Sequence, residues 1–194
     1  EIQEQRPDFK MQAALVVARD PSDLYGGFTI NLGSLHGMKK KFPVVTSAGV
    51  VGYIDEVGPN FSKVKTILNP DSNIGGYDIT GHEYGILSGN ARLAGDGLCM
   101  LAYLPKDCAV STGNTIITSG TGGVFPSGLV CGVVQSVQTD FQGVSINAII
   151  KPAVDIKKVK EVLVITDFDP DKQIATISEA VSFEASSPAA SSGS

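Results

Sequence analysis

Tryptophan is absent, histidine occurs twice and cysteine three times in these 194 residues. Each scarcity excludes something. Cys99, Cys108 and Cys131 form no C-x-x-C pair and have no histidine at a zinc-ligand spacing, so the usual structural metal sites are not encoded. Three scattered thiols do not describe a disulfide-stapled scaffold either; they read as small buried hydrophobes. A Cys99–Cys108 bridge across a hairpin is left open. No run of about 18 apolar residues appears, so no segment is built to cross a bilayer as a helix. There is no signal peptide, and the polar opening at Glu1 reads as the trimmed start of something longer. Cations are the minority, 15 Lys and Arg against 20 Asp and Glu. The resulting charge of −5 argues against nucleic-acid binding. Two basic clusters interrupt that balance, Lys39 to Lys41 and Lys157, Lys158, Lys160, and both read as solvated faces.

Catalytic chemistry is equally sparse. A serine hydrolase needs a nucleophile, a base within reach and a group that orients the base. Ser119, followed by Gly120, Gly122 and Gly123, is the one candidate nucleophile. His36 and His82 are the only histidine bases available to it, with Asp55, Asp78 or Asp96 as a third member. No G-x-S-x-G elbow surrounds Ser119, and a serine among glycines between strands is ordinarily turn chemistry. A serine protease-like or degenerate hydrolase with Ser119 as nucleophile stands as the alternative reading. His82 and Glu83 are adjacent, and neighbours on a strand face opposite ways, so they would not converge on a metal. A G-x-G-x-x-G pattern begins at Gly120 but meets Phe125 at its third glycine. No catalytic, cofactor-binding or metal residue is assigned.

What the chain has is glycine, 22 of them, and β-branched residues in short runs. An apolar run over 12–18 is followed by strand-like runs at 28–32, 42–46, 49–57, 63–68, 84–88, 98–104, 114–118, 129–138, 144–150 and 161–166. Turn residues separate them, such as Gly58-Pro59-Asn60, Asn69-Pro70-Asp71 and Gly95-Asp96-Gly97. Many short strands at this spacing predict an all-β barrel or sandwich. A helical turn is expected only near 153–160. One internal echo stands out. Val44-Val45-Thr46-Ser47 leads to Gly49-Val50-Val51-Gly52, and Ile116-Ile117-Thr118-Ser119 leads to Gly128 and then Val130-Cys131-Gly132. A glycine within such a strand permits the sharp coil that closes a small barrel, so the echo points to two related barrels.

The order of the turn motifs resembles a known family. Ala18-Arg19-Asp20-Pro21-Ser22, then Ile30-Asn31-Leu32-Gly33-Ser34 and His36-Gly37-Met38, resembles the opening of the domain of rod shape-determining MreC proteins. Pro43-Val44-Val45, Gly49 to Ile54, Val57 and Ser62-Lys63-Val64 are similar to its next run. Tyr84 to Gly89, Gly113 to Gly120, Gly123, Phe125-Pro126, Gly128-Leu129 and Gly132 continue the likeness, and Lys151 to Asp155 with Val162-Leu163-Val164 close it. The match runs from about Ala18 to Ile165. Asn114 departs from it, standing where the family usually has Asp, and Tyr53 stands where a basic residue is frequent.

The resemblance implies an all-β fold of two small six-stranded barrels, like a chymotrypsin double barrel without its triad, behind a short remnant of an N-terminal neck. On that plan residues 1–11 are neck or linker, 12–89 plus 151–166 the first barrel, 90–150 the second, and 167–194 a largely disordered tail. It further implies a non-catalytic, oligomeric scaffold of the cell-wall elongation machinery, maintaining rod shape at the extracytoplasmic face of the membrane. Family members carry a membrane helix, absent from this chain. The implied partners are other copies, as dimer or filament, a class B penicillin-binding protein that it activates, RodA, MreD and MreB; no cofactor is implied. Tyr77, Val124, Phe125 and Pro126 are the candidate contact residues, although the last three also fit a loop tip folded back over a barrel mouth. Gly33, Gly49, Gly52, Gly120, Gly128 and Gly132 are expected to shape turns and bulges.

Overall fold

The computed structural model describes residues 10–167. Its strands are β1 (Lys10–Arg19), β2 (Phe28–Ile30), β3 (Pro43–Val45), β4 (Val50–Val57), β5 (Ser62–Thr66), β6 (Ile74–Asp78), β7 (Glu83–Ser88), β8 (Cys99–Pro105), β9 (Thr115–Thr118), β10 (Val130–Thr139), β11 (Ser145–Pro152) and β12 (Glu161–Asp167). One short helix, α1 (Ala91–Gly95), precedes β8. Its first turn is capped by Asn90, whose side-chain oxygen accepts from the Leu93 N–H at 2.8 Å. The helical turn expected near 153–160 is a 3₁₀ turn at Ile156–Lys158, and a second one forms at Ser34–His36.

The strands close into two antiparallel barrels of six, ordered β1-β12-β3-β4-β5-β2 and β10-β11-β8-β7-β6-β9. Closure pairs the backbone groups of every strand without leaving a long free edge. Apolar side chains alternate inward, among them Ile30, Val44, Val64, Val162 and Val164 in the first barrel and Leu87, Leu101, Leu104, Ile116 and Ile150 in the second.

The division between barrels differs from the expected one. β6 and β7, at 74–88, belong to the second barrel, because β6 pairs with β9 and β7 with β8. Lys151 and Pro152 also belong there, as the end of β11. The second barrel is therefore the continuous stretch 74–152, set between β5 and β12 of the first. β6 escapes a hydrophobicity reading because it is Ile74-Gly-Gly-Tyr-Asp, with glycine where the fold needs space. A Cβ on Gly75 would lie 2.5 Å from Ser119 Oγ, and one on Gly76 2.6 Å from a Leu101 methyl. Lys10 and Met11, expected in the neck, open β1 instead. The remaining neck residues and the tail beyond Asp167 lie outside the described residues.

The echo between the two halves has a structural counterpart. Read around the ring from β3, the first barrel runs β3-β4-β5-β2-β1-β12; read from β9, the second runs β9-β10-β11-β8-β7-β6. The connectivities match once the chain is cut at a different point. Gly52 and Gly132 are equivalent under this match. A Cβ on Gly52 would overlap the Lys65 carbonyl of β5, and one on Gly132 the Lys151 carbonyl of β11.

Five consecutive residues of β4, Val50 to Ile54, are buried. A strand with only one covered face alternates, so both faces of β4 are covered. The second barrel supplies the outer cover. A Cβ on Gly49 would lie 2.5 Å from the Val130 carbonyl oxygen, and the Phe125 ring sits edge-on to Tyr53 with centroids 6.3 Å apart. Lys157 Nζ donates to the Ala94 carbonyl at 2.7 Å, tying the returning chain to the end of α1.

Candidate interaction surface

The loop from Ser119 to Leu129 folds inward. Phe125 and Pro126 are buried and Val124 is half-buried against the core, so these three do not form the exposed contact that was one reading of the sequence. Thr118 is the cause. Its hydroxyl donates to the Pro126 carbonyl and accepts from the Leu129 N–H at 2.9 Å, fastening the loop over the barrel mouth while Phe125 reaches Tyr53. Gly120 and Gly128, with φ of 79° and 81°, take the left-handed conformation this path requires, as do Gly122 and Gly123 between them. Gly33 instead lies where a Cβ would strike the Gly58–Phe61 backbone.

Ser119 takes part in a local turn. Its hydroxyl donates to Thr121 Oγ1 at 3.0 Å and accepts from the Thr121 N–H at 3.2 Å. Its own N–H donates to the Gly75 carbonyl, at the start of β6. His82 lies beyond the opposite end of that strand, about 10 Å away along its axis, and its Nδ1 pairs with the Tyr77 hydroxyl at 2.9 Å. His36 is in the first barrel, where Nδ1 accepts from the Gly33 N–H at 3.0 Å. The fold does not bring a histidine to Ser119.

The three cysteines are free thiols, so the Cys99–Cys108 pairing does not form. Burial pushes the Cys99 thiol well above its ordinary range, with Cys131 nearby adding to the shift. Burial alone pushes Cys131 up to about 12. Neither carries a reactive thiolate.

The feature the sequence reading missed is at the end of the second barrel away from β4. Three connections gather there, 79–82, 106–114 and 140–144. A buried carboxylate joins the first two: Asp78 accepts from the N–H groups of Thr80 and Gly81 at 2.9 and 3.0 Å and from Asn114 Nδ2 at 2.8 Å. An aspartate at 114 would set two carboxylates together. Asp140 builds the third connection. Its carboxylate accepts from the Val144 N–H and the Ser145 hydroxyl, both at 2.9 Å.

These frames hold apolar side chains in solvent. Phe141 is fully exposed at the hairpin tip, Val144 is exposed on the same hairpin, and Ile79 is exposed in the 79–82 turn. Tyr84 is 64% exposed and packs at a tilt of 43° against Tyr77, with centroids 4.7 Å apart. Tyr103 is 75% exposed at a bulge in β8 where its φ is 64°, a conformation that costs a bulky residue free energy. Among the sequence candidates, Tyr77 alone belongs to this rim, as the half-buried support of Tyr84. A phenylalanine between Asp140 and Gly143 is the signal that a sequence reading had available.

Two interlocked barrels with an exposed aromatic rim define a double-barrel protein whose outward features are surfaces. Residues 16–166 match the family model described as rod shape-determining protein MreC, barrel core, and the chain belongs to that family. It is 34% identical over 167 residues to the cell shape-determining protein MreC of Bacillus subtilis, covering 81% of this chain and 57% of that protein. The chain thus spans little more than half the length of such relatives. A solved MreC from Listeria monocytogenes superposes with a TM-score of 0.73 at 29% identity, over 81% of this chain and 76% of that one. The same fold, at TM-score 0.62 and 14% identity over 81% of this chain and 100% of the other, occurs in a complex between penicillin-binding protein PBP2 and MreC from Helicobacter pylori.

Proposed function

We propose that this chain is a non-catalytic scaffold that helps maintain rod cell shape by self-association and by binding and activating a class B penicillin-binding protein. In this reading it works at the extracytoplasmic face of the cytoplasmic membrane, beside RodA, MreD and MreB, with anchoring supplied elsewhere in the protein. The observation that carries it is the rim of Ile79, Tyr84, Tyr103, Phe141 and Val144. Exposed aromatics at the braced end of a barrel have the composition of interface anchors, which act through a few buried rings. The H. pylori complex supports a penicillin-binding partner for a protein of this fold. Activation follows if the rim binds one conformation of the enzyme better than the others.

Light scattering of the chain across a concentration series, alone and with the ectodomain of the matching penicillin-binding protein, tests this. A mixed complex is expected, weakened about 30-fold or more by Phe141→Ser with Tyr84→Ser. A strict monomer that forms no complex would overturn the reading. A serine-directed probe is expected to leave Ser119 unlabelled, and labelling there would restore the hydrolase alternative.

A further inference from the structure

The end of the first barrel that carries Lys10 and Asp167 is unlike the rim of the second. A tight turn projects from it. The Ser34 and Leu35 N–H groups donate to the carbonyls of Gly58 and Pro59 at 2.8 and 3.0 Å, and His36 Nδ1 holds the Gly33 N–H. Met38, buried to 3% exposure, anchors the far side of the turn. This frame presents Leu35 at 78% exposure, with Phe61 partly exposed on the neighbouring turn. Lys39, Lys40 and Lys41 follow at once and are all exposed. None of the three makes an ion pair among the described residues, although Lys41 Nζ lies 4.5 Å from the Tyr53 ring centroid. Lys10 is exposed at the same end, 4.0 Å from the Asp167 carboxylate. A chain with net charge −5 therefore gathers unpaired cations around a braced aliphatic tip.

We propose that this turn, Leu35 with Lys39 and Lys40, is a docking point for an anionic lipid surface. An apolar tip entering the headgroup layer, flanked by lysines that meet anionic lipid, is the chemistry of interfacial attachment. The cations also distinguish lipid from protein. Protein interfaces are enriched in arginine and aromatics and depleted in lysine, whereas the cluster here is lysine with an aliphatic tip. Hydrated point charges on flexible stems suit a fluid headgroup layer better than a fixed bidentate partner. The site does not rest on the partner reading above, since it lies on the other barrel and uses none of the rim.

Vesicle co-sedimentation tests it, using phosphatidylcholine with 30 mol% phosphatidylglycerol against phosphatidylcholine alone. Binding to the anionic vesicles only is expected, and it is expected to fade as salt rises. Lys39→Gln and Lys40→Gln should each weaken it about fivefold, the factor equivalent to about 1 kcal/mol per basic residue at a charged membrane surface. Leu35→Ser should weaken it at high salt as well as low. Lys106→Gln, on the second barrel, should leave it unchanged. Equal binding to both vesicle types, no binding to either, or equal loss with Lys106→Gln would overturn the proposal. Displacement by soluble polyglutamate at matched charge would also overturn it, pointing to an acidic protein instead.

Discussion

The two barrels share a strand ring and differ in what they hold out to solvent. The first ends in a leucine beside lysines, on a turn braced by backbone hydrogen bonds. The second ends in a phenylalanine on a turn and two tyrosines on the strands β7 and β8, where a buried carboxylate and a capping one brace the connections. Backbone strain follows the same division. Asn73, His82 and Tyr103 have positive φ in or beside the second barrel, against Lys41 alone in the first. Closing a barrel of this size fixes the inward residues and the few glycines, and leaves the turns free to carry unlike surfaces.

The largest effect is expected where the rings are equivalent. Gly52→Ala and Gly132→Ala each force a Cβ into a neighbouring carbonyl and should cost about 3 kcal/mol, roughly 10 °C in melting temperature for a domain of this size. If the barrels fold as one unit, both variants should keep a single calorimetric transition. Two transitions in either variant would show that the barrels are energetically separable. Asn114→Asp tests the second barrel's frame alone. Two carboxylates in contact should destabilise by about 2 kcal/mol at neutral pH. The loss should shrink toward pH 4 as one of them takes up a proton, and a pH-independent loss in denaturant titrations would contradict the pairing. The smallest effect is the most discriminating. Tyr103→Asn keeps a residue that tolerates positive φ and removes the ring, so stability should rise by about 1 kcal/mol while partner binding falls. A loss of stability would mean that the ring packs in a way its exposure does not show.

Most strands were legible because Val and Ile runs such as 49–57, 129–138 and 161–166 announce themselves. β6 was not, since its role depends on two glycines fitting against Ser119 and Leu101, residues far away in sequence. That omission moved the expected barrel boundary. The exposed rim proposed as a contact surface was less legible. Tyr77 was selected, but the Val124–Pro126 loop looked exposed because its glycines read as a free tip. The threonine hydroxyl at 118, bonded across to Pro126, helps to turn it inward together with the Gly128 N–H, which donates to the Thr118 carbonyl. The conformation of Tyr103 follows from a bulge against β11, which no local pattern encodes.

All three thiols lie in the second barrel, Cys99 on β8 and Cys131 on β10 in its core and Cys108 half-buried in the connection between β8 and β9. They make an internal clock for one barrel and not the other. A thiol reagent should reach Cys108 through small local fluctuations, whereas Cys99 and Cys131 react only when the barrel opens. The lag between the two labelling events would time that opening directly. Measured again with a partner seated on the rim, it would tell whether binding at the turns slows the breathing of the strands beneath them.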